Sequence, residues 1–292
     1  MTHFRFRKQT LQSLLLGSVA VLAIGCVSNN THRDQLQSLA KYDQAGINAK
    51  VYLPELKGKK INNLPAADFL TLHSGMLVSG DYVNSAEFQK QLHTVREADD
   101  DALTLGFSVP IAKGGSGFGS AAPITSDGYF LTAAHVLSHD DTFVLYAATR
   151  SGRTQIVSAK VRTVYRNDMS DFAIVKANIS TPRYLRFRYD TPAPGTVMFA
   201  GGWMHEKAGG QFLQTLAIQD SSGKPTSFKK VVTSIPMIKG DSGSPLIDQN
   251  GKLCGVLSTM RLGVIVKAKP LSTAVMINTS QINSIISRDR RR

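Results

Sequence analysis

The sequence predicts an all-β domain from about Leu103 onward, built either as a sandwich or as a pair of barrels. Short runs of β-forming residues separated by glycines occupy this region. The clearest is SPLIDQNGKLCGVLS, in which apolar runs lie on both sides of Asn250 and Gly251. This dipeptide favours a two-residue type I′ turn and therefore a β-hairpin.

The composition is that of a globular protein with a basic surface. The chain has 292 residues, of which 42% are hydrophobic, enough for one large domain or two small ones. Its formal net charge of +13 would attract nucleic acid, anionic lipid or acidic partners. The alternative is a basic surface that only keeps the protein soluble. No basic stripe is interleaved with aromatic residues, so we expect no nucleic-acid partner. The sequence leaves the oligomeric state open.

Residues 1–25 have the layout of a secretory signal peptide. A basic start precedes the apolar run Leu14–Gly25, which is too short to span a bilayer comfortably. The run ends in AIGC, which resembles the lipobox of bacterial lipoproteins. The resemblance implies a lipid on Cys26 and attachment to a membrane of the bacterial cell envelope, the outer membrane if the host has one. A plain cleaved signal followed by a chance cysteine is the alternative.

Residues 26–103 are interpreted as a polar tether and a partly helical N-terminal extension. Residues 27–45 are polar, as in a tether. Farther on, the spacing of Phe88, Leu92 and Val95 predicts one face of a helix, with Ser85 as its N-cap.

A short helix is also predicted near the C-terminus. Thr279 is the predicted cap, and Ile282, Ile285 and Ile286 are predicted to face inward. The final RDRRR (288–292) is interpreted as a solvated tail.

The sequence has two cysteines. If Cys26 carries a lipid, Cys254 has no partner for an internal disulfide. Cys254 lies in the apolar, strand-like run GKLCGVLS, so we expect a small buried core residue and no catalytic thiol.

Three short motifs contain the residues that a nucleophilic hydrolase needs. In KGDSGSPL, Ser242 supplies a hydroxyl group in a predicted loop. The glycines of this motif give the loop the freedom to turn its backbone N–H groups toward one point. Attack on a carbonyl also needs a base and a carboxylate that orients it. His135 follows an apolar strand in YFLTAAHVL, and Asp171 opens the apolar run of SDFAIVKA. Asp168 is the rival carboxylate, but the run begins at Asp171.

In this order, TAAHV, DFAIV and GDSGSP resemble the trypsin-like serine proteases of the chymotrypsin fold. The resemblance covers about residues 104–287, and we assign residues 104–292 to this domain. It implies two six-stranded antiparallel β-barrels and a serine endopeptidase that acts on protein or peptide substrates. With GGSGFGS and SDGYFLTAAHV ahead, the chain looks closer to compact bacterial proteases of the high-temperature-requirement type than to digestive trypsins, and we see no PDZ domain after the core.

The resemblance also implies roles for individual residues. Ser242 would be the nucleophile, His135 the general base and then acid, and Asp171 the group that orients His135. The N–H groups of Gly240 and Ser242 would form the oxyanion hole. Ser258 would support the carboxylate and line the substrate cleft.

The chain departs from the family pattern in two places. Ser244 replaces the second glycine after the nucleophile, a small change. No IVGG-like start follows a basic cleavage site, so no freed N-terminus pairs with the aspartate that corresponds to Asp241. We therefore expect a protease that folds directly into its active form.

The substrate pocket is predicted to prefer small or aliphatic side chains before the scissile bond. Its floor should be TSIPMIK (233–239), which includes Pro236 and has no acid to pair with Lys or Arg. The opposite wall should include Thr259 and Met260, and Met260 should narrow the entrance against aromatic side chains. Two acids outside these segments would change the floor if they folded into it: Glu206 and Asp220.

Other chemistries fit less well. The α/β-hydrolase elbow G-x-S-x-G lacks its last glycine here, and the order of the three residues differs. His135 and His139 have zincin spacing, but Val136 stands where the glutamate belongs, so we expect no metal and no cofactor. A binding or chaperone module on a protease fold is the non-enzymatic alternative, although such modules usually lose a triad residue.

Overall fold

The structure is a computed structural model. The residues it describes are 50–52, 63–86, 88–90, 118–137, 141–150, 153–202, 208–219, 222, 224–235, 237, 240–261 and 271–292. They all belong to one compact unit, Asp43–Arg292. The predicted signal peptide and Cys26 lie outside them. In these ranges we find no helix with the length and apolar character that crossing a membrane requires.

The segment before residue 104 contains both strands and helices. Its elements are β1 (Lys50–Tyr52), β2 (Asn63–Pro65), α1 (Ala66–Leu72), β3 (Gly75–Ser79) and α2 (Gly80–Val83). The predicted N-cap at Ser85 is confirmed, because its Oγ accepts a hydrogen bond from the Phe88 N–H at 3.1 Å. Phe88 is fully buried. Leu92 and Val95 lie outside the described residues.

Six antiparallel strands form the first large sheet. Besides β3 they are β4 (Gly119–Pro123), β5 (Tyr129–Thr132), β6 (Thr142–Arg150), β7 (Arg153–Asn167) and β8 (Phe172–Ala177). They pair in the order β3-β4-β5-β8-β7-β6, and β6 pairs back with β3, so the sheet closes. We call this group of strands the first barrel.

The structure moves the start of the predicted domain toward the N-terminus. The sequence interpretation assigned residues 26–103 to an extension, yet β3 pairs with β4 on one side and with β6 on the other. The first barrel would be open without this strand. The segment GMLVS is buried along most of its length, and it is too short to stand out from the sequence as a core strand.

Six more antiparallel strands form the second large sheet. They are β9 (Val197–Ala200), β10 (Ala208–Gln219), β11 (Pro225–Thr233), β12 (Pro245–Asp248), β13 (Leu253–Arg261) and β14 (Leu271–Met276). Their order is β10-β11-β14-β13-β12-β9, closed by pairing of β9 with β10. We call this group the second barrel. The prediction of a mostly β domain is confirmed.

The β12–β13 hairpin forms as predicted, but its turn is of another type. A type I′ turn requires a positive φ at both central residues. Gly251 has a φ of +69°, but Asn250 is not among the residues with positive φ. The Gly251 N–H donates to the Asp248 carbonyl oxygen at 3.0 Å. The Asp248 carboxylate accepts from the N–H groups of Asn250 and Lys252. This carboxylate stabilises a longer connection, which the Asn-Gly pair alone does not predict.

The C-terminal helix α3 (Thr279–Asp289) is confirmed, with a different cap. Asn278 is the N-cap, and its side chain accepts a hydrogen bond from the Gln281 N–H at 3.2 Å. Ile282 and Ile286 are buried as predicted, and Ile285 is partly buried against the same cluster.

The predicted solvated tail is wrong in part, because two residues of RDRRR form ion pairs with the first barrel. Asp289 accepts two hydrogen bonds from Arg162 and one from the Tyr129 hydroxyl. Arg290 forms an ion pair with Asp127 at 2.7 Å. These contacts fasten the end of α3 to the first barrel.

One hydrophobic cluster joins the two barrels and α3. It includes Phe172 from the first barrel, Val256 from the second and Ile282 from the helix. Cys254 is buried with a free thiol, as predicted, and burial raises its pKa to about 12. Such a thiol is not a nucleophile at neutral pH.

Candidate active site

His135 lies just after a buried strand of the first barrel. β5 ends at Thr132, and a short 3₁₀ turn, Ala134–Val136, begins two residues later. Ala133 and Ala134 are both fully buried. Only small side chains fit at these two alanines, which explains the TAAHV pattern. The side chain of His135 is 51% exposed and therefore accessible to a ligand.

Asp171 occupies the residue before β8 and has an unusual backbone conformation. Its φ is +55°, and no other non-glycine residue in the described part of the chain has a positive φ. Aspartate tolerates this left-handed region better than most residues. The Asp171 N–H donates to the Asp168 carbonyl oxygen, and the Ser170 N–H donates to the Asn167 side chain. Strained residues of this kind are concentrated at functional sites.

His135 and Asp171 form a tightly hydrogen-bonded pair. The His135 Nδ1 lies 2.9 Å from each carboxylate oxygen of Asp171, and the His135 backbone N–H donates to Oδ1 at 3.0 Å. Ser258, on β13 of the second barrel, donates its Oγ–H to Oδ2 at 2.5 Å. Because an ionised carboxylate only accepts hydrogen bonds, Nδ1 must carry a hydrogen, which leaves the lone pair of a neutral imidazole on Nε2.

The same contacts shift the pKa values of the pair in opposite directions. Burial alone would raise the pKa of the Asp171 carboxyl, but hydrogen bonds from His135 and Ser258 outweigh it and the pKa is lowered. The hydrogen bond to Asp171 raises the pKa of His135 above 6.5, against the opposing effect of burial. The pair therefore favours an ionised carboxylate and a readily protonated imidazole.

The rival carboxylate, Asp168, has a different partner. Its Oδ1 accepts a hydrogen bond from Arg166 Nε at 2.7 Å. Arg166 also donates to the Leu137 carbonyl oxygen at 2.7 Å, next to the turn that contains His135. Arg166 thus connects the two loops that contain His135 and Asp171, and Asp168 takes part in this support.

Ser242 lies in the loop between β11 and β12 of the second barrel. Gly240 and Gly243 flank it with φ values of +100° and +85°, a region that favours glycine. The Ser242 Oγ–H donates to the Ser258 carbonyl oxygen at 3.4 Å. No hydrogen bond joins the described side chains of Ser242 and His135. Ser258 therefore contacts both Asp171, through its hydroxyl, and Ser242, through its carbonyl oxygen.

Backbone hydrogen bonds fix the path of the Ser242 loop. The Gly243 N–H donates to the Leu257 carbonyl oxygen at 2.7 Å, and the Ser244 N–H donates to the Asp241 carbonyl oxygen at 2.8 Å. In contrast, the N–H groups of Gly240 and Ser242 make no hydrogen bond to any described residue. These are the two groups predicted to bind the oxyanion.

A strand of the first barrel also holds this loop, through Ser120 on β4. The Ser120 N–H donates to the Ser242 carbonyl oxygen at 2.7 Å, and its Oγ–H donates to the Gly240 carbonyl oxygen at 3.0 Å. The sequence assigned no role to Ser120. The only signal was its membership in GGSGFGS, which contributed to the family resemblance.

The residues predicted to line the substrate pocket are only partly described. Thr259 and Met260 lie on β13, whose strand pairing is described and whose side chains at these positions are not. Ile235 and Met237, from the predicted floor, are buried in the core of the second barrel. Pro236, Glu206, Asp220 and His139 lie outside the described residues. The predicted preference for small or aliphatic residues stays a prediction.

The described residues contain no group of three or more His, Cys, Asp and Glu side chains that could hold a metal ion.

Comparison with protein families gives one match. Residues 115–256 match the model of the trypsin-like peptidase domain. This range includes His135, Asp171 and Ser242. Comparison with curated proteins gives no match.

Comparison with solved structures gives similar chains among bacterial proteases. The HtrA-type protease AlgW with a decapeptide is 23% identical with a TM-score of 0.44, covering 58% of this chain and 51% of that one. A serine endoprotease from Yersinia pestis is 15% identical with a TM-score of 0.46, covering 76% and 64%. The active form of the Rv3671c protease from M. tuberculosis is 14% identical with a TM-score of 0.50, covering 81% and 87%.

The chain spans about half the length of the first of these structures and 64% of the second. At such identities a structural likeness concerns the fold alone. The Rv3671c protease, with the highest TM-score of the three, supports the same fold over most of both chains.

Proposed function

We propose that this chain is a serine endopeptidase that uses Ser242, His135 and Asp171, and the match of residues 115–256 to the trypsin-like peptidase domain supports this proposal. The observation that carries the proposal is the His135–Asp171 pair, hydrogen-bonded at 2.9 Å beside the loop that contains Ser242. A base oriented by a carboxylate is what a serine hydroxyl needs for attack on a carbonyl.

We infer that the whole domain has the chymotrypsin-type arrangement of two six-stranded barrels. The closed order of strands in each half supports this assignment. So does the position of the site, because His135 and Asp171 come from the first barrel and Ser242 from the second. In such an arrangement an extended peptide substrate would bind between the two barrels.

In the first step, the Ser242 oxygen attacks the carbonyl carbon of the scissile peptide bond. A C–O bond forms, and the Ser242 proton passes to Nε2 of His135. The Asp171 carboxylate stabilises the resulting imidazolium, in agreement with the raised pKa of His135. The negative charge on the former carbonyl oxygen is bound by the N–H groups of Gly240 and Ser242.

In the second step, the C–N bond breaks and the leaving amine takes the proton from His135. The acyl group stays on Ser242 as an ester. Water then attacks this ester while His135 takes its proton, and the C–O bond to Ser242 breaks as His135 returns that proton to the Ser242 oxygen, which releases the acid. Nothing besides water is consumed.

Attack requires Ser242 to turn from its present partner. Its Oγ–H now donates to the Ser258 carbonyl oxygen over a long 3.4 Å. Rotation about one side-chain bond between staggered positions is enough to redirect the hydroxyl. Hydrogen bonds between nucleophile and base are often loose without substrate and shorten when it binds.

The test compares wild type with Ser242→Ala, using a fluorophosphonate probe and labelled casein. We expect wild type to be labelled on Ser242 and to cleave casein, and Ser242→Ala to lose both, with a rate lower by about 10⁴-fold or more. Ser244→Ala is the matched control, since it removes a buried hydroxyl from the same loop and should keep its activity. A folded wild-type protein that is never labelled would favour the binding or chaperone module instead.

We propose that the substrate residue before the scissile bond is small or aliphatic. Lys and Arg would need a carboxylate in the pocket, and the floor segment 233–239 supplies none. The predicted position of Met260 disfavours aromatic residues. A peptide library should show cleavage after Ala, Val or Leu. Cleavage mainly after Arg or Lys would overturn this assignment, and cleavage mainly after aromatic residues would remove the role of Met260.

We propose that the protein is anchored to a membrane of the bacterial cell envelope by a lipid on Cys26. The basic start, the short apolar run and the Gly25-Cys26 junction support this. Each buried CH₂ contributes about 0.8 kcal/mol, so two or more acyl chains anchor a protein stably. Mass spectrometry of the mature N-terminus should find lipidated Cys26, and Cys26→Ser should remove the modification. A retained Met1 or an N-terminus at Val27 would contradict the anchor.

A further inference from the structure

We propose that Ser120 is a positioning residue that fixes the oxyanion-binding part of the Ser242 loop. The inference rests on the proposed function, since it concerns the same site. Ser120 lies on β4 in the first barrel and is 1% exposed, although serine is usually found at surfaces. A buried hydroxyl must find a partner, and its partner here is 120 residues away along the chain.

Ser120 contacts both residues whose N–H groups are expected to bind the oxyanion. Its Oγ–H donates to the carbonyl oxygen of Gly240 at 3.0 Å, and its backbone N–H donates to the carbonyl oxygen of Ser242 at 2.7 Å. These two peptide groups lie on either side of the Asp241–Ser242 peptide. With both carbonyls held, neither residue can rotate freely.

Gly240 is the residue that most needs this restraint. Its φ of +100° lies in a region that glycine enters readily and also leaves readily. Without the Ser120 hydroxyl, its buried carbonyl would lose the hydrogen bond that defines this conformation. An oxyanion hole is effective because its donors are already oriented when the charge develops.

Ser120 is itself held by the strand that leads to the catalytic histidine. The Thr132 Oγ1–H donates to the Ser120 carbonyl oxygen at 2.8 Å, and Thr132 is the last residue of β5 before the alanines and His135. A Cβ added to Gly243 would lie 1.9 Å from the Ser120 oxygen and 2.4 Å from Thr132 Oγ1. The approach is therefore as close as a glycine permits. Hydrogen bonds run from β5 through Ser120 to Gly240 and Ser242.

No atom of Ser120 is among the reacting groups, so its role is one of orientation. The test measures the labelling of Ser242 by a fluorophosphonate, in which Ser242 forms a P–O bond, fluoride leaves and His135 takes the proton. The phosphoryl oxygen occupies the oxyanion hole, so the reaction reports its geometry whatever the peptide specificity. Saturation kinetics separate the rate of the bound complex from the probe's affinity.

For Ser120→Ala we expect the rate of the bound complex to fall about 10-fold, with affinity for the probe changed by less than about 2-fold. This is less than the roughly 10²–10³-fold loss known for removal of an oxyanion donor, since Gly240 keeps its N–H. Ser120→Thr retains the hydroxyl and should restore most of the rate. Thr181→Val is the control, because it removes a buried hydroxyl bonded to Gly128 and Thr125 beyond the far end of β4.

The outcomes separate this inference from the proposed function. If wild type is not labelled, the proposed function fails and the role of Ser120 fails with it. If wild type and Ser120→Ala are labelled at the same rate, only the inference is wrong. It is also wrong if Ser120→Ala and Thr181→Val lose thermal stability and labelling rate in the same proportion. If Ser120→Ala does not fold, the test uses Ser120→Thr. A folded Ser120→Thr protein that is labelled at least 10-fold more slowly than wild type would overturn the inference.

Discussion

The two halves of the candidate site are organised by different kinds of contact. On the side of the first barrel, His135 and Asp171 are joined side chain to side chain, and Ser258 completes the carboxylate's hydrogen bonds. On the side of the second barrel, the Ser242 loop is held through its backbone, at the carbonyls of Gly240 and Ser242. His135 is oriented by a charged carboxylate and the Ser242 loop by neutral hydrogen bonds.

This difference predicts how each half responds to substitution. A charge-assisted pair is about twice as strong as a neutral hydrogen bond, and it sets a pKa as well as an orientation. The Ser242 loop depends instead on the close approach of its backbone to β4. A substitution disrupts this approach either by a steric clash or by allowing the loop backbone to rotate. Substitutions in the pair should change the rate and its pH dependence, whereas those in the loop should change the rate or the stability without moving the pH profile.

Asp171→Asn should have the largest effect. The amide has nearly the same shape but cannot accept the Nδ1 hydrogen as a carboxylate does, and the imidazole tautomer becomes wrong for attack. We expect a loss of about 10⁴-fold in kcat/KM with little loss of stability, because asparagine also tolerates a φ of +55°. Kinetics on labelled casein together with thermal unfolding measure both.

The pH profile of this variant sharpens the comparison. With neutral His135 as the proposed base, the wild-type rate should rise with pH through its pKa, which lies above 6.5 because Asp171 stabilises the protonated form. Without that carboxylate the pKa falls, and the acidic limb of the residual activity should move to lower pH. An unchanged limb would mean that another group controls it.

Gly243→Ala should come next, on the side of the loop. The new Cβ would lie 1.9 Å from the Ser120 carbonyl oxygen at a φ of +85°. We expect the free energy of unfolding to fall by about 2–4 kcal/mol and the labelling rate by about 100-fold. Gly195→Ala is the matched control, since its φ is +87° with open space around the new atom, and it should lose stability only modestly. Equal behaviour of the two variants would remove the argument from close approach.

Ser258→Ala should have a smaller effect on the rate. Asp171 keeps both donors of His135, the ring Nδ1–H and the backbone N–H, and loses the Ser258 hydroxyl, so we expect a drop of about 10-fold in kcat/KM. The pKa of Asp171 should rise because a hydrogen bond that lowers it is gone. Measured kcat/KM at several pH values tests this, and a variant as active as wild type would show that His135 alone positions the carboxylate.

Asp289→Asn should have the smallest effect on activity, less than about 2-fold, because Asp289 lies on α3 away from the site. Hydrogen bonds from Arg162 lower the pKa of Asp289 to about 2. Its folded pKa lies below the ordinary 3.8, so its contribution is complete above pH 4 and is lost as the pH falls toward 2. Thermal unfolding at pH 7 should show a loss of about 1–2 kcal/mol, and the gap to wild type should narrow below pH 4.

The sequence singled out the side chains of the candidate site more fully than the contacts that support them, and the catalytic roles of His135, Asp171 and Ser242 stay a prediction. His135, Asp171 and Ser242 stand at strand ends inside short motifs, so residue type and local pattern were enough to select them. Asp171 could be preferred over Asp168 because the apolar run begins there, and Asp168 does bond Arg166 instead. Ser120 could not be assigned a role, because its hydroxyl contact exists only after two distant segments have packed.

The fold was predictable to a similar degree. The mostly β character and α3 follow from local patterns, but β3 does not, because five residues show no clear period. The predicted type of the hairpin turn at Gly251 and the predicted position of the helix cap, which is at Asn278, were wrong for the same reason. In each case a side chain accepts hydrogen bonds from nearby backbone N–H groups. This side chain belongs to Asp248 in the hairpin and to Asn278 at the helix. Several residues in each segment can make that bond, and the sequence does not say which one will.

Because β3 comes from the segment before residue 104, shortening this protein to its motif-containing region would change the first barrel. A chain that began at residue 104 would keep every catalytic motif and lose the strand between β4 and β6. Both neighbours would then present rows of unpaired backbone groups, and such open edges recruit strands from other molecules. The shortened chain would aggregate or exchange strands with its copies, even though the motifs alone would suggest that nothing essential had been removed.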